Sequence, residues 1–109
     1  MGRTMAERTL NWANHAKADV VAILEFYYHR NGNSDYGNRL VHEFQERMDG
    51  VVTNPYLGEK WKRSGFRYVV VSPFQLFYRV TKTEIIVSTV WDSRRDPKTL
   101  NKHLRRTDS

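Results

Sequence analysis

Three segments rich in Val, Ile, Phe and Tyr follow one another in the second half of the chain, at residues 66–71, 75–80 and 85–91. Only Ser72-Pro73-Phe74 and Thr81-Lys82-Thr83 separate them. β-Branched and aromatic residues suit a pleated, half-buried surface, so each segment reads as a strand. Turns this short force an antiparallel arrangement, because a parallel pair needs a long crossover. The chain is therefore committed to a three-stranded meander that must bury at least one face.

The first half supplies the cover. From Asn14, an expected N-cap, the residues Ala16, Val20, Ile23, Leu24 and Tyr27 recur at the spacing of one helix face until Asn31-Gly32-Asn33. A second helix begins near Ser34 or Asp35, with Tyr36, Leu40, Phe44, Met48 and Val51 on one stripe, and ends at Asn54-Pro55. Residues 7–12 read as a weaker first strand. Pro97 suits the first position of a short final helix running through Leu104. The expected architecture is α+β, a two-layer fold of order β-α-α-β-β-β with a short C-terminal helix. A helical hairpin packs on one face of an antiparallel sheet and leaves the other face free to bind.

The chain has 109 residues, enough for one core and too few for two independent domains. Residues 7–104 are expected to form that domain, after a disordered extension over 1–6 and before a basic, polar tail over 105–109. With 18 Lys+Arg against 12 Asp+Glu the net charge is +6, which favours an acidic partner, either nucleic acid or protein. The absence of cysteine excludes a disulfide framework and thiolate chemistry, and fits a reducing cytoplasm. No apolar run is long enough for a membrane span, and the N-terminus lacks the continuous apolar region of a secretory signal.

Strand alternation sets Arg67 against Phe66, Tyr68 and Val70, and Arg79 against Leu76, Tyr78 and Val80. If the Tyr/Leu/Val faces cover the helices, both arginines share the open face with Phe77 and Val69. Cations interleaved with aromatics on a sheet hold single-stranded nucleic acid through phosphate contacts and stacking. A lone charge on a half-exposed strand is more commonly a solvated face; the pairing of two, with Arg94 and Arg95 nearby, shifts the balance. The segment 58–65 adds Lys60, Lys62 and Arg63, with Trp61 as a lid on the core. His15, His29, His42 and His103 lack metal-ligand spacing and read as surface residues, so no metal or other cofactor is expected. Asp92 and Asp96 suit local ion pairs and a cap for the last helix. Two consecutive side chains leaving a strand diverge. One of Arg94 and Arg95 is thus expected to be structural, pairing with Asp92 or Asp96, and the other to face a partner. Strand parity favours Arg94 as the partner-facing residue and Arg95 as the support of the C-terminal helix.

The element order, with Gly65-Phe66-Arg67-Tyr68-Val69-Val70-Val71, Phe77-Tyr78-Arg79-Val80 and Trp91-Asp92-Ser93-Arg94-Arg95-Asp96-Pro97, resembles the RelE/ParE toxin superfamily from about Thr9 to Leu100. Ala16-Lys17-Ala18-Asp19 and Asn54-Pro55 with Leu57-Gly58 add to the match. The resemblance implies a cytoplasmic, growth-inhibiting toxin of a type II toxin–antitoxin module, neutralised by an acidic, partly disordered segment of a cognate antitoxin. Assembly as a homodimer or as a hetero-oligomer with that antitoxin fits equally. ParE-like members inhibit DNA gyrase by binding, whereas RelE-like members cut messenger RNA on the ribosome. In the RNA-cutting branch an arginine usually opens the third strand, where this chain has Gln75, and a general acid lies near the chain end, where only His103 is available beyond the expected place. The RNA-cutting alternative would rest on Arg67 and Arg79 as catalytic cations. A third alternative is an inactive relative that only binds antitoxin.

Overall fold

The computed structural model describes residues 8–108, with side chains through Arg106. The expected extension over 1–6 and the start of the first strand at Glu7 lie outside the described residues. In chain order the elements are β1 (Thr9–Trp12), α1 (Asn14–Asn31), α2 (Asp35–Thr53), β2 (Glu59–Trp61), β3 (Phe66–Val71), β4 (Phe74–Val80), β5 (Glu84–Asp92) and α3 (Pro97–Asp108). The α+β class and the order read from the sequence both hold. Three details differ. The sheet has five strands in the order β1-β5-β4-β3-β2, because residues 59–61 pair with β3 as an extra edge strand. It is mixed, since β1 runs parallel to β5 across the long connection that the helices provide. And α3 continues through Asp108, four residues past the expected end at Leu104.

The helical hairpin packs as its stripes require. Leu40, Phe44, Met48 and Val51 of α2 are buried against Val69, Leu76, Tyr78, Ile85 and Val87 of the sheet. Helix α1 contributes Ala16, with Val20, Ile23 and Tyr27 partly buried, and leaves Val21, Phe26 and Tyr28 exposed. Asn14 is the first helical residue rather than the cap; Ala13 occupies the cap position, with no side-chain hydrogen bond. The helix ends at Gly32, whose φ of 77° suits a residue without Cβ and whose N–H donates to the Tyr28 carbonyl at 2.8 Å.

The reverse face of the sheet is not free at its C-terminal end. There α3 seats Leu100 and Leu104 on Phe66, Phe77 and Trp91, a second core flanked by Trp61 and Tyr68. One irregularity in β5 makes this possible. Phe77 pairs with Thr89 and Tyr78 with Val87, so Ser88 is the extra residue of a bulge. Before it, Ile85 and Val87 face the helical hairpin; after it, Thr89 and Trp91 face α3. Unbroken alternation would keep Trp91 in phase with Ile85 and Val87; the bulge breaks that phase.

Tyr78 also fixes the connection from α2 to β2. Its hydroxyl accepts the Gly58 N–H at 2.8 Å and donates to the Pro55 carbonyl at 2.9 Å. Burial pushes this phenol above its ordinary pKa, which keeps the donor proton in place. A Cβ on Gly58 would lie 2.6 Å from that hydroxyl, so glycine is required. Tyr78→Phe leaves the Gly58 N–H and Pro55 carbonyl without this partner. It should lower unfolding stability by about 1–3 kcal/mol. Urea denaturation at unchanged m-value would read this; an unchanged midpoint would show that the clamp contributes nothing.

Candidate functional site

The end of β5 and the turn before α3 gather a cluster of mutually engaged charges on the molecule's surface. The Asp92 carboxylate accepts the Arg94 backbone N–H and Nε–H, both at 2.9 Å, and Nη2–H at 2.7 Å. This bidentate hydrogen bonding holds the Asp92 carboxyl below the usual carboxylate range and raises the Arg94 pKa further. The turn is pinned beneath by Ser93, whose N–H and hydroxyl both donate to the Pro73 carbonyl. Arg95 lays its guanidinium over the Trp91 ring at 4.2 Å. Asp96 caps α3 as expected, its carboxylate accepting the Lys98 N–H at 2.9 Å.

The assignment of the two arginines is thus the reverse of the parity argument in one respect. The pairing expected of the structural arginine falls to Arg94, while Arg95 is held by an aromatic face rather than by an aspartate. Both remain exposed. Arg94 borders two depressions. One, of ≈180 Å³, runs between α1 and the sheet over Ile23, Phe26, Tyr27 and Val90; the other, of ≈350 Å³, lies over Tyr27, Arg30 and Tyr36.

Below the turn, Asp19 of α1 closes the edge of β5 that β1 is too short to cover. Its Oδ2 accepts the Val90 N–H at 2.9 Å and the Thr89 hydroxyl at 2.5 Å. Because that hydroxyl gives its proton to Asp19, its oxygen accepts from His103 Nε2–H at 2.8 Å. A carboxylate, a buried hydroxyl and an imidazole therefore tie α1, β5 and α3 together. The surface assignment for His103 is corrected: it packs on Trp91 at 5.3 Å and edge-on to His15 at 6.0 Å. No sequence spacing links Asp19, Thr89 and His103. The bulge that turns Thr89 toward α3 was the missing signal.

The expected Arg67/Arg79 floor does not assemble. Arg67 pairs in register with Tyr78, and Val69 with Leu76, so the odd residues of β3 face the helical hairpin. Phe66 and Tyr68, expected on that side, face α3 instead. The β4 phase was read correctly and the β3 phase inverted, because both faces of β3 are apolar and alternation alone does not choose between them. Arg67 donates to the Gly58 carbonyl at 2.8 Å and lies 5.0 Å over Tyr56. Arg79 lies on the opposite face, 5.8 Å over Phe66. Phe77 is fully buried beneath α3 and cannot stack on a ligand. Lys60 shares the face of Arg67, whereas Lys62, at a φ of 51°, leans over Trp61 at 4.9 Å, with Arg63 exposed beside it. Residues 59–61 thus form the outer arm of an edge hairpin with β3, and residues 62–65 its turn.

With this geometry, a family model described as the ParE toxin of the type II toxin–antitoxin system parDE matches residues 10–97. The chain belongs to the ParE toxin family. A solved structure titled "Chromosomal ParDE TA system from P. aeruginosa" shares the fold, with a TM-score of 0.68 and 24% identity over 80% of this chain and 96% of that one. No curated protein matches the sequence. Among the described residues of this ParE-family chain, no helix is long and apolar enough to cross a membrane.

The His103 link makes α3 docking depend on pH. Burial lowers the His103 pKa below 6.5, helped by His15, Arg95 and Arg106 and opposed by Asp19. The folded state therefore binds fewer protons than the unfolded one. This stabilising contribution is complete above the ordinary value and is lost as pH falls below it toward the lowered folded pKa. Hydrogen-exchange protection of α3 should fall between about pH 7 and pH 5, more than that of α2. His103→Gln retains an amide donor for Thr89 and should flatten the difference; an equally steep loss in that variant would contradict the assignment.

Proposed function

We propose that this toxin arrests growth by binding DNA gyrase in the cytoplasm rather than by cutting RNA, and that an acidic antitoxin segment holds it silent. The observation that carries the reading is the separation of Arg67 and Arg79 on opposite sheet faces. Metal-independent RNA cleavage needs cations converging on one phosphate and a group that moves the proton of the 2′-hydroxyl. Here Arg67 is committed to the α2–β2 connection, and the Nε2–H of His103 is committed to Thr89. These commitments favour recognition over bond cleavage. The ParE family match supports the same branch.

The contact surface we assign is the turn carrying Arg94 and Arg95, with the adjoining groove over Phe26 and Tyr27. Asp92 holds Arg94 in one orientation, so little side-chain freedom is lost when a carboxylate approaches. An acidic antitoxin segment seated there would mask the same cations that the target requires, and its association would be accelerated by the net charge of +6.

Purified toxin should inhibit supercoiling by gyrase. Arg94→Ala should raise the concentration needed by about tenfold while leaving the thermal midpoint nearly unchanged, since an exposed interfacial charge acts on association. Full supercoiling in a large molar excess of wild-type toxin, or discrete cuts in translated transcripts by primer extension, would contradict the proposal.

A further inference from the structure

A second basic surface lies away from Arg94, between the β2–β3 hairpin and α3. There a depression of ≈400 Å³ is bordered by Trp61, Ser64 and Phe66 on one side and by Asn101, Leu104 and Arg105 on the other. The Trp61 indole N–H donates to Asn101 Oδ1 at 3.3 Å, which joins the hairpin to the helix. That bond leaves the Asn101 Nδ2 donor without a partner among the described residues.

Helix α3 places Arg105 at the rim of this depression and two further cations farther round its outer side. Leu100 and Leu104 define its buried side. At 3.6 residues per turn, Lys98, Lys102 and Arg105 fall within about 60° of arc on the outer side, spread over about 10 Å of axis. All three are exposed, as are Lys62 and Arg63 on the hairpin. The hairpin's acidic residue, Glu59, is engaged by the Tyr68 hydroxyl, and Asp96 is occupied by the helix cap.

We infer that this groove is a seat for single-stranded nucleic acid, with a base stacked on Trp61 and the flanking phosphates on Lys62 and Arg105. Two features favour this partner over an acidic protein. The cations flank an aromatic surface formed by Trp61 and Phe66. An amide donor, Asn101 Nδ2, lies at the rim of the depression. Lys62 lies over the indole, but its flexible stem lets it yield that place and follow the phosphate. Aromatic stacking tolerates any base, so binding should be insensitive to sequence and strongly dependent on salt. The surface is separate from the Arg94 turn, and its existence does not depend on gyrase being the target.

The test uses the full chain and a fluorescein-labelled oligothymidylate about 12 nucleotides long, a length within the usual single-strand site sizes. Fluorescence anisotropy should show saturable binding whose logarithm falls linearly with the logarithm of salt concentration. Lys62→Ala/Arg105→Ala removes two exposed cations and should weaken binding at least tenfold, with the salt slope reduced in magnitude by about 1.4. Trp61→Phe should retain most of the affinity and Trp61→Leu should lose it about tenfold, each at an unchanged circular dichroism spectrum. No binding at micromolar protein, or equal binding by the Lys62→Ala/Arg105→Ala variant, would overturn the inference. Stronger binding of a poly-glutamate peptide, with the oligonucleotide displaced and no effect of Trp61→Leu, would overturn it in favour of an acidic protein partner. The assay contains no gyrase, so its outcome is independent of the supercoiling result.

Discussion

The bulge at Ser88 puts Ile85 and Val87 under the helical hairpin and Thr89 and Trp91 under α3, and the placement of the charged turn that follows Trp91 depends on that change of phase. A strand of nine residues with unbroken alternation would present Trp91 to the hairpin side, where Phe44 and Phe74 already fill the space. With the extra residue, Trp91 becomes the floor of the second core and the face on which Arg95 rests. The hairpin-side residues Val90 and Asp92 then line the groove beneath Arg94.

Asp19 secures this arrangement from outside the sheet. Because β1 covers only Glu84–Val87, the Val90 N–H would otherwise be an open strand edge beside helix α1. The carboxylate closes it and binds Thr89 at the same time, and Thr89 carries the connection on to His103. The bonds to the charged Asp19, about 1.5–3 kcal/mol each, join α1 to β5, and the neutral His103–Thr89 bond adds about 0.5–1.5 kcal/mol to the docking of α3, whose buried contacts rest chiefly on Leu100 and Leu104. The site is therefore built on rigid elements: a bulged strand, a helix edge and a capped turn. Such a scaffold suits recognition of a preformed surface more than a proton-transfer site that must bring several groups together.

Much of this was readable from residue order. The meander follows from three apolar runs with turns too short for anything else, and the buried stripe Leu40, Phe44, Met48 and Val51 was visible as period 3.6. The Asp96 cap and the Asp92 ion pair were likewise local, within three residues of their partners. What was not readable depends on through-space pairing. Phe66-Arg67-Tyr68-Val69-Val70-Val71 is apolar on both faces, so its phase is set by β4 and α3 rather than by its own alternation, and Arg67 and Arg79 separated as a result. Ser88 looks like an ordinary strand residue. Its neighbours decide that it is a bulge, and with it the roles of Thr89 and His103. In helix α1 the buried stripe was legible, but apolar residues also lie off it, and spacing alone does not show that Val21, Phe26 and Tyr28 are left exposed.

The exposed apolar surface, the arginines beside it and the absence of a shared Arg67/Arg79 face are what support our proposal that this ParE-family toxin acts by occupying a protein target. The most direct measurement is the order in which macromolecular syntheses fail after the chain is induced without its antitoxin, followed by pulse incorporation of labelled thymidine and labelled methionine in the same culture. The account predicts that thymidine incorporation falls first while methionine incorporation continues. An early fall in methionine incorporation, with DNA synthesis still running, would contradict it.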